Sequence, residues 1–192
     1  MEDKEIIEAI ENFKQVLDEK GIDPSTALGT DLFNFVSTLT PIVNVDLFIH
    51  DSDGRVLLSY RDNDPTTGSG WHIPGGCVRF RETLDSRIHK TAFKELGTDI
   101  IYNPRPVLAK ESFGEDGLAD QNDHVRGHFI SLLYDCTLSP DAKIINCDGE
   151  KIAGHLGWFT DVPEGFIEVQ QFYKPYLEAW FSNPWIKGRL MK

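Results

Sequence analysis

Apolar residues recur at spacings of three and four near the start of the chain: Ile6, Ile10, Phe13 and Leu17, with Glu and Lys between them. That period places them on one face of an amphipathic helix over residues 3–19. Gly21 suits its C-terminal cap, and Pro24 blocks continuation. Such a helix packs on the main domain or on a second copy of the chain. A second, shorter helix is expected over 31–38, with Thr30 as its N-cap and Leu32, Phe33 and Val36 facing inward. After Pro41 the period changes to two. Val43, Val45, Leu47 and Ile49 share one face of a strand over 42–50. Asp46 falls on the other face, mid-strand, where aspartate is uncommon and costly to bury without partners. It is either an exposed or structurally bonded residue or part of a site.

Asp51-Ser52-Asp53-Gly54 reads as a hairpin turn into a strand over 55–60. A loop rich in Asp, Thr, Gly and Pro is expected over 62–70. Arg61, at the strand exit, is placed to clamp a phosphate or to sit solvated. Further on, short strands are expected over 98–101 and 106–113, a polar loop over 114–122, and a long apolar strand within 125–138. Then come a turn-rich acidic link over 139–149, a short strand over 155–160, and a closing helix over 168–181 with Val169, Phe172, Tyr176 and Trp180 on its apolar stripe. The tail from 183 reads as a surface extension. Strands mixed with helices, without a break in composition after residue 40, predict an α/β fold: a helical extension over 1–30 and one domain over 31–192.

Composition narrows the function. The 192 residues are 40% hydrophobic and 26% charged, which suits a packed core rather than disorder. The net charge of −12 disfavours DNA or RNA as partner. An anionic small-molecule substrate would need a divalent cation and local arginines. No apolar run approaches the ~20 residues of a membrane span. The acidic, amphipathic N-terminus is unlike a signal peptide, so a cytoplasmic protein is expected. Cys77, Cys136 and Cys147 fit neither a disulfide framework nor a zinc cluster and read as reduced thiols.

The chemistry concentrates in GWHIPGGCVRFRETLDSRIHKTAFKELG, residues 70–97. Trp71 and Ile73 lead into Pro74-Gly75-Gly76, a loop carries Glu82, and a helix runs to Glu95 and stops at Gly97. These residues resemble the Nudix box, G-x5-E-x7-R-E-U-x-E-E-x-G-U. Gly76, Glu82, Glu95 and Gly97 match it, whereas Lys90 stands at the Arg position, Thr91 and Lys94 replace helix glutamates, and Thr98 fills the last aliphatic slot. Asp31-Leu32-Phe33, Thr40-Pro41, Val45-Asp46, Leu57-Leu58 and Arg61 extend the resemblance toward the GDP-mannose mannosyl hydrolase branch of the Nudix superfamily.

That resemblance implies a Nudix-type α/β/α sandwich with a mixed sheet. It also implies a Mg²⁺-dependent hydrolase of a nucleotide sugar or related nucleoside diphosphate derivative; a homodimer, built through the N-terminal arm, is expected as well. Gly75 and Glu95 would hold the metal, Arg61 would bind phosphates, and Asp46 and Arg79 would contact substrate. With few helix carboxylates and Lys94 adding positive charge, one Mg²⁺ is expected rather than two. Lys90 would hold Glu82. The branch's Gln-His pair is missing from GEKIAGHLGW; His155 is the nearest candidate base, and Glu150 is another. Cys77 stands where the branch has an arginine, for which Arg79 or Arg81 would compensate. Attack at carbon, attack at phosphorus, and a Nudix-fold nucleotide-binding module with impaired catalysis remain distinct readings.

Overall fold

Period-two patterning produces the central strand where it is expected. In the computed structural model, which describes residues 3–64, 67–113 and 128–183, strand β1 spans Ile42–Ile49 and is buried on both faces from Val45 onward. Its neighbours are β2 (Val56–Asp64), β3 (Gly68–His72), β4 (Gly75–Cys77) and, later in the chain, β5 (Ile100–Tyr102), β6 (Leu108–Phe113), β7 (His128–Leu138) and β8 (Leu156–Phe159). β1 pairs in parallel with β7 and antiparallel with β4; β5 and β6 share the far edge of β7. This mixed sheet faces a second one of order β3-β2-β8.

The alternation along β1 sorts the core into two clusters. Val45, Leu47 and Ile49 join Ile88, Ala92 and Leu96 of the central helix, Leu84–Leu96. Phe48 joins Trp71, Ile73, Tyr173, Leu177 and Trp180 on the other side. Each such side chain, fully buried, contributes roughly 1.5–3 kcal/mol. Helices therefore cover both faces of the sheet, as expected for the α/β/α sandwich. The helices are α1 (Lys4–Glu19), α2 (Thr30–Leu39), α3 (Leu84–Leu96) and α4 (Lys174–Ser182). Thr83 caps α3 by accepting from Ser86 N, and Gly97 ends it in the left-handed conformation at φ 73°. The three cysteines form no disulfide.

Four local expectations need correction. Much of 62–70 is a hairpin, not a loop. β2 continues to Asp64 and β3 begins at Gly68, with a register shift between Arg61 and Asp64 where Asn63 adopts φ 51°. Its polar residues bond across the hairpin, Ser69 Oγ to Asp62 and Thr67 to Asp64. Second, Gly75–Cys77, given no element of its own from the sequence, is an edge strand. Third, the closing helix begins as a 3₁₀ segment, Glu168–Tyr173, and becomes α-helical only at Lys174, with Pro175 in its first turn. Fourth, Gly29, not Thr30, is the N-cap of α2, and that helix buries Asn34 and Ser37 while Leu32, Phe33 and Val36 are half-buried. Both amide atoms of Asn34 lack a partner, and nothing in the structure explains it.

Helix α1 is capped by Asp3 but buries no residue. Its apolar stripe stays largely exposed, and Phe13 meets Phe35 of α2 edge-on, 6.2 Å between ring centres. Among the described residues no helix is long and apolar enough to cross a membrane. The polar loop expected over 114–122 and the tail beyond Asn183 lie outside the described residues.

Candidate active site

Between the two sheets lies a cleft of about 820 Å³. Its floor follows from the spacing of α3. Ile88, Ala92 and Leu96 face the core, so the adjacent stripe Arg87, Thr91 and Glu95, one helical turn apart, faces the cleft together with Lys94. Gly76 lies against this stripe: a Cβ there would stand 2.6 Å from Thr91 Oγ1 and 3.2 Å from Arg87 Cδ. Thr91 is only 2% exposed, and its hydroxyl has no protein partner.

The register of β4 on β1 sets the next group. Leu47 N donates to Pro74 O and Val78 N to Val43 O. Antiparallel alternation then makes Asp46 and Gly75 a non-hydrogen-bonded pair, the kind in which opposed side chains come closest. Glycine is required there, because a Cβ on Gly75 would lie 2.1 Å from Asp46 Oδ1. The same alternation turns the Gly75 carbonyl away from β1, toward the open edge of the sheet.

Asp46 is 1% exposed. Tyr173 Oη donates to its Oδ2 at 2.7 Å, and Asn44 Nδ2 to its Oδ1 at 2.7 Å. Burial pushes its carboxyl up to about 6 despite these bonds, and burial with the adjacent carboxylate pushes the Tyr173 hydroxyl well above its ordinary value. Tyr173 is thus fixed as a donor. Glu95 is 11% exposed; Lys94 Nζ donates to its Oε1 at 3.1 Å, and Ser59 Oγ lies 3.5 Å from its Oε2. Arg61 lines the same cleft, donating to Thr67 Oγ1 at 2.9 Å and reaching His72 Nε2 at 3.2 Å. Burial, helped by Arg61, depresses His72 to about 3. A neutral His72 accepts from Arg61, so its 3.8 Å approach to Glu95 Oε2 is not an ion pair.

Glu82 anchors the loop before α3. It accepts from Arg79 N, from Lys90 Nζ at 2.9 Å, and from Arg87 through Nε and Nη2, both at 2.7 Å. Although burial opposes ionisation, these bonds together hold its carboxyl below the usual range. Lys90 does what the sequence reading expects of it, and Arg87 shares the task.

Of the remaining expected residues, one lines the cleft and one does not. Arg79 lines the cleft, with its guanidinium carbon 5.8 Å from the Phe33 ring centre. Ala153 and Gly154 line the cleft, but His155 does not; its Nδ1 is 3.0 Å from both carboxylate oxygens of Asp148. His72, Asn44 and Tyr173 escaped the sequence reading. Asn44 shares the strand face of Asp46, and His72 stands inside the run before Pro74, so both carried a positional signal. Tyr173 carried none, being 127 residues from its partner.

The residues that would hold a divalent metal are few. Among the described residues no cluster of three or more His, Cys, Asp or Glu could enclose an ion. The donor set is one carboxylate, Glu95, and one edge carbonyl, Gly75, which suits Mg²⁺ because that ion keeps waters and takes further oxygens from substrate phosphates.

No family model matches the chain. The low-salt glycan biosynthesis protein Agl8 of Haloferax volcanii is 32% identical over 156 residues, covering 81% of this chain and 92% of that protein. A MutT protein from Methanosarcina mazei superposes with a TM-score of 0.52 at 18% identity, covering 80% of this chain and 97% of that one. A possible asymmetric diadenosine tetraphosphate hydrolase from Jonesia denitrificans gives 0.54 at 21%, covering 76% and 97%.

Proposed function

The chain belongs to the family of the Agl8 protein and has the Nudix fold, and on that premise we propose that it is a Mg²⁺-dependent hydrolase of a nucleotide sugar or related nucleoside diphosphate derivative. The observation that carries this is the gathering of Glu95, the Gly75 edge carbonyl, Arg61 and Lys94 around one cleft. A diphosphate needs cations on its oxygens, and Arg61 and Lys94 both line this cleft. Glu95 and Gly75 would hold the metal, whose chemistry there would be charge neutralisation on the diphosphate. Arg61 binds phosphate, while Asp46 and Arg79 contact the rest of the substrate. Lys94, beside Glu95, takes the place of a second cation.

His155, the candidate base, lies outside the cleft lining and would have to move inward to serve this reading. The Asp148 carboxylate bonded to Nδ1 orients the ring and leaves Nε2 as acceptor, the arrangement a base requires. The protein works in the cytosol as a homodimer, for which the exposed stripe of α1 offers the surface.

The test is product analysis with Mg²⁺ and a panel of nucleotide sugars. Free sugar with nucleoside diphosphate supports attack at carbon. Nucleoside monophosphate with sugar phosphate supports attack at phosphorus, a reading favoured by the position of His155 outside the cleft lining. Binding without turnover across the panel would leave a nucleotide-binding module, the reading that Thr91 and Lys94 at glutamate positions favours.

A further inference from the structure

The two walls of the cleft differ in chemistry. Along the β2–β3 hairpin the lining is carboxylate and hydroxyl, with Asp62, Asp64 and Thr67 around Arg61. Where β1 and β7 begin, two phenyl rings stand beside Ser112 and Ser131. Phe33 of α2 and Phe129 of β7 stand 6.0 Å apart, centre to centre, tilted by 48°. Phe129 is registered against Ile42, toward the start of β1 from Asp46. Arg79 reaches over Phe33 from the far side of β4. The chain between α1 and α2 closes this wall: residues 26–30 line it, and Phe80 N donates to Pro24 O, tying the segment to the loop that bears Arg79.

We propose that Phe33, Phe129 and Arg79 form the subsite for the nucleobase, with the third component of the substrate directed toward the β2–β3 hairpin. The inference rests on the nucleoside diphosphate reading and adds to it the direction in which the molecule lies. A nucleobase has two π faces and a polar rim. Its faces stack on phenyl rings and on a guanidinium plane, and such stacking tolerates any base. Its rim meets the peptide groups of residues 26–30. The carboxylates of Asp62 and Asp64 on the hairpin wall offer acceptors that suit sugar hydroxyls. The segment preceding α2 thereby becomes part of the binding site rather than a tether for α1.

The test is calorimetric titration of the full chain, in Mg²⁺, with GDP, ADP, UDP and CDP and with inorganic diphosphate. Wild type is expected to bind at least one nucleoside diphosphate more tightly than diphosphate. Phe33→Leu, which keeps apolar volume and loses the ring, is expected to weaken that nucleotide about tenfold, the scale of one stacked base, with diphosphate binding unchanged. Phe33→Tyr should restore the affinity. The subsite is refuted if wild type prefers no nucleotide over diphosphate, or if Phe33→Leu weakens both ligands alike. Base-dependent binding of nucleotide sugars without their hydrolysis would uphold the subsite while overturning the hydrolase.

Discussion

Asp46→Asn separates the electrostatics of the cleft from its packing. In the folded chain the carboxyl is held at about 6, against 3.8 for the ordinary group, and burial is the principal cause. Because the folded value is raised, the fold favours the protonated acid. The stability Asp46 contributes is fully present below 3.8 and is lost as pH rises through 6. At about 1.4 kcal/mol per unit, the full effect is about 3 kcal/mol. Asparagine has nearly the same shape and does not titrate. Its one carbonyl can accept from Tyr173 or from Asn44, but its amide then faces the other donor. That mismatch costs about 1–3 kcal/mol and does not vary with pH. The stability difference between wild type and variant should therefore shift by about 2 kcal/mol between pH 4 and pH 7.5, the variant gaining as pH rises. His72 contributes a slope of opposite sign, since its depressed value costs stability as pH falls from 6.5 toward 3. It is present in both proteins and cancels in the difference. Urea unfolding followed by tryptophan fluorescence, in EDTA, at several pH values measures the quantity. A wild-type-minus-variant difference that stays flat within extrapolation error would refute a desolvated Asp46 carboxylate.

Glu95→Gln should abolish Mn²⁺ binding seen by electron paramagnetic resonance and lower turnover by about a hundredfold or more, since a neutral amide is a poor ligand for a hard dication; unchanged turnover would remove Glu95 from the metal site. Gly76→Ala forces a Cβ to 2.6 Å from Thr91 Oγ1 and should cost about 1–3 kcal/mol, and Thr91→Ala should recover part of it in a double-mutant cycle, with strict additivity counting against the contact. Arg87→Ala should destabilise by about 1–3 kcal/mol by removing the two-point contact on Glu82, which keeps Lys90 and Arg79 N, whereas Lys90→Ala, which removes a largely exposed partner, should cost about 1 kcal/mol or less. Chemical denaturation ranks the two, and the reverse order would overturn the division of labour at Glu82.

What could be read from residues and what could not divide along a physical line. The strand β1, the helix α3 with its Gly97 stop, and the hold of Lys90 on Glu82 depend on contacts a few residues apart, or on a period that repeats. They appear where expected. The β2–β3 hairpin was hidden because its polar residues satisfy one another across the ladder, so a strand looked like a loop. The partners of Asp46 are of two kinds. Asn44 is a near neighbour on the same strand face, but Tyr173 arrives through tertiary packing of the closing segment, and no local pattern announces it. The neutrality of His72 is likewise a product of burial, invisible until the sheets meet.

The bond from Tyr173 to Asp46 also orders events in time. Asp46 is made early on the ribosome and its donor late. Until the closing segment docks on the sheet, the aspartate has no phenol to meet. The cleft with its tuned carboxyl is therefore among the last features of this chain to come into being. Loosening α4 would be felt first at a strand laid down more than a hundred residues before it.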